Sequence, residues 1–215
     1  MTTAREEILG RILAAKDNPA ASSVDAVAPR SDRGPSVRPV VATPVIDTFR
    51  RNAIANGFGF SEAPSNTDIV ATVKAALVEN GAGTDITIAQ SLAHIGWPND
   101  WTIHCGMGRR IEHVCINTAV AAIAETGSIV FGSSSRSPAS LNYLPDLEIA
   151  LLSKSDILAH PEDVWRTLRE MHGASAATWP RAVNVVSGAS RTADIAGILV
   201  RPAHGPKHVH IILTP

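Results

Sequence analysis

The sequence predicts an α/β fold, a three-layer α/β/α domain built on a mainly parallel sheet. Segments that read as strands alternate along the chain with segments of helical periodicity, which is typical of this class. Two of the strand segments, residues 128–131 and 147–152, are predominantly apolar runs. Such runs are expected of strands that are buried on both faces of a sheet. No repeat of solenoid period is found, so a repeat architecture is excluded.

The first 44 residues are predicted to be an appendage to a single α/β domain at residues 45–215. A capping-box pattern followed by apolar residues at helical spacing predicts a short helix over residues 3–16. Residues 18–44 collect Pro, Ser, Ala and Arg without a sustained period, which is typical of a linker or an extended arm.

Within the domain, glycines, prolines and capping residues mark where the elements begin and end. The sequence predicts helices at 45–56, at 69–79, at 118–124 and from Pro161 to about Met171. It predicts strands at 58–63, 85–89, 112–116, 128–131, 147–152, 182–186, 198–200 and 209–213, with an irregular region before residue 112.

Composition excludes several classes of protein. The chain has 215 residues, 45% of them hydrophobic and 18% charged, which excludes a wholly disordered chain. Nineteen basic and twenty acidic residues leave a net charge of -1. That balance removes the electrostatic case for binding nucleic acid or an acidic membrane surface, because such partners require a field of one sign.

The two cysteines, Cys105 and Cys115, are too few for a disulfide framework, a zinc ribbon or an iron–sulfur cluster. We therefore expect no cofactor on this chain. The first residues lack the basic and apolar regions of a signal peptide, and the uncharged stretch at 114–124 is too short to span a bilayer. A reducing cytoplasm is the expected location.

Two predicted strands end directly in loops that are rich in glycine, serine and arginine, at residues 132–136 and 187–194. Ligands of open α/β sheets bind beyond the carboxyl ends of the strands, where backbone amides, hydroxyls and guanidinium groups attract anions. The alternative is that these residues only form turns. The candidate ligand-binding residues in the two loops are Ser133, Ser134, Arg136, Ser187, Gly188, Ser190, Arg191, Thr192 and Asp194. Outside the loops, the candidate ligand-binding residues are Thr126, Gly127, His204 and His210.

A second candidate is the sequence Glu125-Thr126-Gly127, just before a buried strand. The carboxylate of Glu125 is our candidate catalytic group, as a general base or as a covalent nucleophile toward an acyl group. It is equally compatible with a structural role as an acceptor for backbone amides, with Gly127 forming the turn. Asp194 has the same two interpretations.

Three of the eight histidines lie together near the end of the chain, as His204, His208 and His210. His208 and His210 share one face of a predicted strand, so a metal site with His204 as third ligand is a low-ranked alternative. Cys115 lies in an apolar run and is expected to be buried, whereas Cys105 is expected to be exposed. Neither cysteine has a catalytic signature.

Three segments resemble the hallmark segments of the LUD domain, and more narrowly those of the lactate utilization protein C family. They are AETGSIV at 124–130, SGASRTADI at 187–195 and HGPKHVH at 204–210. The resemblance covers roughly residues 67–215 and leaves the N-terminal arm unexplained. The residues that match family positions are Glu125, Thr126, Gly127, Ser190, Arg191, Asp194, His204, Gly205 and His210.

The resemblance implies a fold like that of the NagB, ribose-5-phosphate isomerase and CoA-transferase group. It also implies a role in bacterial L-lactate utilization, in a three-component system that oxidises lactate to pyruvate. Iron–sulfur clusters are then expected only on partner proteins, and this chain would be the cluster-free component. Two positions depart from the family pattern: Ala196 replaces an acidic residue and Pro202 a glycine. If that acidic residue takes part in the function of the family, this chain has an altered function or acts on a different molecule.

Three functions follow as hypotheses. The first is an assisting subunit of a lactate-oxidising system, with iron–sulfur partners. The second is an enzyme or binding protein for a small anion, such as a carboxylate, a phosphate or a CoA ester, in which Arg136 and Arg191 hold the anion and Glu125 is the acid/base. The third is the histidine metal site. The sequence is also compatible with a homo-oligomer.

Overall fold

A computed structural model of the chain describes residues 4–16, 38–106, 113–173, 175, 178–191, 202 and 205–215. The chain divides into two units, Met1–Arg38 and Pro39–Pro215. The first unit contains helix α1 (Ala4–Lys16), which confirms the helix expected over residues 3–16. The second unit contains all the other elements. Among the described residues, no helix has the length and apolar character needed to cross a membrane.

The centre of the second unit is a parallel sheet of six strands. They are β1 (Gly59–Glu62), β2 (Asp85–Ile88), β3 (Thr102–Cys105), β4 (Val114–Thr118), β7 (Leu147–Ser153) and β10 (His208–Thr214). Their spatial order is β1-β10-β7-β4-β2-β3, and every neighbouring pair is parallel. All six carboxyl ends therefore lie along one edge of the sheet.

Side chains of the central strand β7 alternate between the two faces of the sheet. Leu147, Ile149 and Leu151 pack with helix α3 (Ile69–Glu79) in one core cluster. Ala150 and Leu152 pack with helix α2 (Val45–Ala55) in a second cluster on the other face. Burial on both faces explains why residues 147–152 are apolar at every position except Glu148. The prediction of an α/β fold with a mainly parallel sheet is confirmed.

A second sheet of four strands packs against the second core cluster. Its strands are β5 (Ala121–Ile123), β6 (Ser128–Gly132), β8 (Ile157–Leu158) and β9 (Val183–Val186), in the order β8-β5-β6-β9. β6 is antiparallel to both β5 and β9, so β5 and β6 form a hairpin. Helix α4 (Pro161–His172) covers its other face with Val164 and Leu168.

Three sequence-based assignments differ from the structure. The predicted helix at 118–124 is wrong, because this alanine-rich segment forms β5. Its alanines at 121 and 122 are buried, and their small side chains fit between closely packed layers, so packing overrides their helix propensity. The region expected to be irregular contains β3, and β8 was not predicted. The predicted strand at 198–200 lies outside the described residues.

Candidate functional site

A cavity lined by described residues lies where three strands of the parallel sheet end. Thr118, Ser153 and Thr214 stand at the carboxyl ends of β4, β7 and β10, and all three line a cavity of about 710 Å³. Asn66 and Thr67, just before α3, form another part of the wall. The edge of the sheet at the carboxyl ends is where open α/β sheets bind ligands. We call this cavity the carboxyl-edge cleft.

A smaller cavity of about 260 Å³ adjoins the cleft and shares Ser91 and Thr118 with it. It contains the loop that follows β6, with Ser133, Ser134 and Arg136 among its lining residues. We call it the arginine pocket. The structure thus places the first of the two predicted loops beside the carboxyl-edge cleft.

Hydrogen bonds fix the conformation of this loop. The hydroxyl oxygen of Ser134 accepts from the amides of Arg136 at 3.2 Å and Ser137 at 3.0 Å, so the serine closes a local turn. Ser133 exchanges two hydrogen bonds with the backbone of Ala182, at 2.8 and 2.9 Å. The amide of Gln90 donates to the carbonyl of Arg136 at 2.8 Å. The backbone around the guanidinium group is therefore held in place.

Arg136 is exposed, and within the described parts of the chain no carboxylate pairs with it. The buried amide of Asn117 supports the same pocket: its oxygen accepts from the hydroxyl of Ser137 at 2.8 Å, and its nitrogen donates to Asn142 at 2.8 Å. An unpaired guanidinium group next to fixed hydroxyls is suited to a carboxylate or a phosphate.

The predicted segment at Glu125–Gly127 lies at the other end of the β5–β6 hairpin, where it docks on the end of α2. The side-chain amide of Asn52 donates to the carbonyls of Ala124 at 2.8 Å and Glu125 at 3.2 Å. That of Asn56 donates to the carbonyl of Thr126 at 2.8 Å. Gly127 has a φ of +67°, and a Cβ there would lie 2.5 Å from the amide nitrogen of Ala53. Only glycine fits this approach without strain.

The second predicted loop, at residues 187–194, also packs against the end of α2, through Gly188. Gly188 has a φ of +119°, and a Cβ there would lie 2.6 Å from the carbonyl oxygen of Asn56. The hydroxyl of Ser128 lies 2.7 Å from that of Thr126 and 2.7 Å from that of Ser187, so three hydroxyls form a chain. We call the region formed by residues 124–128, 187–188 and the side chains of Asn52 and Asn56 the motif junction.

Glu125 extends from the motif junction toward the start of α4. Its Oε2 lies 2.8 Å from Nδ1 of His160, and the two side chains are 25% and 15% exposed. A cavity of about 200 Å³ lies next to this pair and is lined by the three linked hydroxyls together with apolar side chains. A carboxylate that orients an imidazole is one arrangement used for proton transfer.

The third hallmark segment contacts the second through its backbone. The amide of Ser190 donates to the carbonyl of Pro206 at 2.8 Å, and Gly205 packs against the Ser190 side chain. Next to it, Lys207 and His113 both bind the carboxylate of Asp146, at 2.8 and 3.1 Å. These two hydrogen bonds, that of Lys207 first, lower the pKa of Asp146.

The two described histidines of the third segment differ in solvent exposure. His210 is 1% exposed, its Nε2 lies 2.9 Å from the hydroxyl of Ser61, and burial lowers its pKa. The ring occupies the space that a Cβ would fill at Gly59. His208 is exposed. Within the residues that the structure describes, no three metal-binding side chains converge, and His204 lies outside them.

The structure does not bring together the groups that the second sequence hypothesis combined. Strand β9 runs antiparallel to β6, so the loops after these two strands lie at opposite ends of the pair. Arg136 is thereby separated from Arg191, and it is also at the opposite end of the hairpin from Glu125. Thr192 and Asp194 lie outside the described residues. The predicted environments of the cysteines are confirmed: Cys105 is exposed and Cys115 is buried.

One buried group has no counterpart in the sequence analysis. Glu148, on β7, is 0% exposed, and neither of its carboxylate oxygens has a hydrogen-bond partner among the described residues. Burial raises its pKa to about 8. In the parallel register its neighbours are Cys115 and Val209. The carboxyl group is therefore neutral at physiological pH, since a charge without a partner is costly there.

Comparison with known proteins finds relatives of part of this chain. Residues 112–214 match the sequence model of the LUD domain. A lactate utilization protein C of Shouchella clausii is 33% identical over 96 residues, which are 45% of this chain and 41% of that protein. One of Halalkalibacterium halodurans is 35% identical over 91 residues, 42% of this chain and 39% of that protein. The one of Bacillus subtilis is 33% identical over 101 residues, 47% and 42% of the two chains.

Each of these matches thus spans about two fifths of the curated relative's length. A crystal structure of a DUF162 family protein from Deinococcus radiodurans shares the fold. It superposes with a TM-score of 0.57 at 16% identity, over 82% of this chain and all of that one.

Proposed function

We propose that this chain takes part in bacterial lactate utilization by binding a small carboxylate, because residues 112–214 match the LUD domain and the chain is similar in part to lactate utilization protein C. Lactate and pyruvate are ligands of this class. The carboxyl-edge cleft and the arginine pocket are the proposed binding site. The motif junction then has the structural task of holding the β5–β6 hairpin on α2.

The observation that carries this proposal is the guanidinium group of Arg136. It is exposed, it lines a pocket that adjoins the carboxyl-edge cleft, and it has no carboxylate partner among the described residues. Arginine binds carboxylates through two parallel hydrogen bonds, and such charge-assisted bonds are roughly twice as strong as neutral ones. The hydroxyl of Thr118, on the wall shared by both cavities, is suited to a polar substituent next to the carboxylate.

Isothermal titration of the purified chain with pyruvate and with L-lactate tests this assignment. We expect Arg136→Gln to weaken binding about tenfold or more, because a charge-assisted contact is lost. Arg51→Gln is the matched control, since Arg51 is an exposed arginine of α2 that lines none of the cavities described above. Equal affinities of the parent and Arg136→Gln would contradict the assignment.

The proposal includes a place in the oxidation of L-lactate to pyruvate. That reaction releases two electrons, and two cysteines cannot hold an iron–sulfur cluster. We therefore propose that this chain is the cluster-free component and that partner proteins with iron–sulfur clusters carry the electrons. Purification from the native cell under gentle conditions should recover those partners with this chain. Its recovery without them would contradict this part of the proposal.

A second candidate function rests on the pair of Glu125 and His160. Their 2.8 Å contact favours acid–base catalysis on a small substrate such as lactate, because Thr126 and Pro161, which follow them in the sequence, line a cavity of about 200 Å³. Under this alternative Glu125→Gln abolishes turnover while pyruvate affinity is unchanged. Under the first proposal Glu125→Gln changes stability only. Measuring lactate oxidation by the reconstituted system with this variant separates the two.

A further inference from the structure

Another cavity shares part of its wall with the arginine pocket. This cavity has a volume of about 450 Å³, and it shares Ser133, Ser134, His172 and Pro180 with the arginine pocket. Trp179 and Arg181 line its far part. We call it the tryptophan pocket. The arginine pocket thus shares wall residues with the carboxyl-edge cleft and with the tryptophan pocket.

The arginine pocket and the tryptophan pocket are each lined by a positively charged arginine side chain. Arg136 lines the arginine pocket and Arg181 lines the tryptophan pocket, and both guanidinium groups are exposed. No aspartate or glutamate stands among the described residues that line these two pockets, and in the same part of the chain neither arginine has an acidic partner. A ligand here experiences the field of two cations that is not neutralised locally.

The tryptophan pocket also has a fixed aromatic wall. The indole nitrogen of Trp179 donates to the carbonyl of Gly173 at 2.8 Å, and the ring centroid lies 6.2 Å from that of His172. One side of the half-buried ring packs on the core cluster of the second sheet. The side that lines the pocket is therefore available for stacking with a planar group.

The loop between the two cations adds donors that the fold does not use. Ser135 lies between the bonded residues Ser134 and Arg136, is exposed and lines the tryptophan pocket. Its amide and hydroxyl have no hydrogen-bond partner among the described residues. Amide and hydroxyl donors next to a guanidinium group are the usual partners of phosphate oxygens.

From these contacts we infer that the arginine and tryptophan pockets bind a nucleoside diphosphate or a ligand of the same chemistry, with two phosphates and a planar ring. The phosphates lie between Arg136 and Arg181, with Ser135 as a further donor, and the ring stacks on Trp179. Each pocket is lined by one arginine, so a ligand that uses both cations and the aromatic wall has to occupy both pockets and to be larger than lactate. This inference rests on the proposed function in that Arg136 also serves the small carboxylate.

Isothermal titration of the full chain with ADP, pyrophosphate and adenosine tests the inference. We expect ADP to bind more tightly than either of the other two probes, because only ADP engages both the cations and the ring. Arg181→Gln should weaken ADP and pyrophosphate about tenfold, which is the loss of one charge-assisted contact, and leave pyruvate affinity unchanged. Trp179→Leu should weaken ADP while leaving pyrophosphate unchanged.

The controls separate this inference from the proposed function. Arg51→Gln removes the same charge elsewhere and should not change ADP affinity. Absence of ADP binding to the parent chain, or an equal loss in Arg181→Gln and Arg51→Gln, overturns the inference. Binding of pyruvate without ADP overturns the inference and leaves the proposed function standing, whereas binding of ADP without pyruvate does the reverse. Circular dichroism of each variant checks that it is folded.

Discussion

The two ends of the β5–β6 hairpin carry similar residues in different surroundings. At the motif junction, Thr126 and Ser128 bond to other parts of the chain, and Gly127 lies against the backbone of α2. At the other end, the loop with Ser133 and Arg136 bonds mainly to itself and to Ala182, and its arginine faces a cavity. Glycine and serine at a turn therefore do not by themselves indicate a ligand site. Their hydrogen-bond partners decide whether they hold the fold or a ligand.

Gly127→Ala is the change with the largest expected effect on this comparison. A methyl group there collides with Ala53, and alanine is strained at a φ of +67°, so we expect a loss of about 3 kcal/mol or more in the free energy of unfolding. Gly81→Ala is the control, because Gly81 has a φ of +63° with open space around it and should lose about 1 kcal/mol. Urea denaturation measures both. Equal losses would show that the junction is not tightly packed.

Glu148 belongs to neither region, so its replacement changes stability without affecting a ligand. Its pKa rises from an ordinary 4.5 to about 8 in the folded protein, which then binds a proton that the unfolded chain has released. Below pH 4.5 the carboxyl group is protonated in both the folded and the unfolded state, so it causes no loss of stability. As the pH rises from 4.5 toward 8, Glu148 lowers the free energy of unfolding by about 1.4 kcal/mol per pH unit. We expect Glu148→Gln to flatten this dependence, as measured by urea denaturation from pH 5 to 8. A parallel decline in both proteins would contradict the assignment.

Asn52→Ala tests how the motif junction is held. The variant leaves the carbonyls of Ala124 and Glu125 without this donor, so we expect a loss of about 2 kcal/mol in the free energy of unfolding. Asn80→Ala removes a bond of the same type within a single helix, to the carbonyl of Ala76, and should lose less. Pyruvate affinity of folded Asn52→Ala should equal that of the parent. A change in affinity would show that the junction and the cleft are coupled.

Arg136→Gln should have the smallest effect on stability and a clear effect on ligand binding. The side chain is exposed and has no acidic partner among the described residues, so we expect the free energy of unfolding to change by no more than about 0.5 kcal/mol. A marked loss of stability would show that Arg136 has a structural partner and would remove the contrast between the two ends of the hairpin.

Much of the fold could be predicted from the sequence because burial leaves a pattern. Strands β7 and β10 are predominantly apolar and are buried on both faces, and Pro161 marks the first turn of α4. The segment of β5 was misread because its alanines favour a helix in isolation, and only the packing between two sheets makes it a strand. β3 is a short edge strand that includes a threonine and a histidine, so it lacks the pattern of a buried strand.

The site was less accessible to sequence reasoning, because a motif does not reveal which groups it contacts. The hallmark segments drew attention to Glu125 and Gly127, whose contacts are with α2 and α4. Thr118, Ser153 and Thr214 were missed, although each is a hydroxyl residue that ends a buried strand. That position, directly after an apolar run, is a signal that could have found the cleft. Asn52 holds the hairpin through a hydrogen bond to a residue 72 positions later in the sequence, so no local sequence pattern reveals this role.

The internal bonds of the loop at 132–137 also have a consequence for the rate of binding. Its backbone is already ordered by Ser133 and Ser134, so the conformational entropy of the loop is lost when the protein folds and not when a ligand arrives. No slow isomerisation has to precede or follow capture. The observed rate in stopped-flow mixing should therefore rise linearly with ligand concentration and reach no plateau, as in a simple one-step encounter.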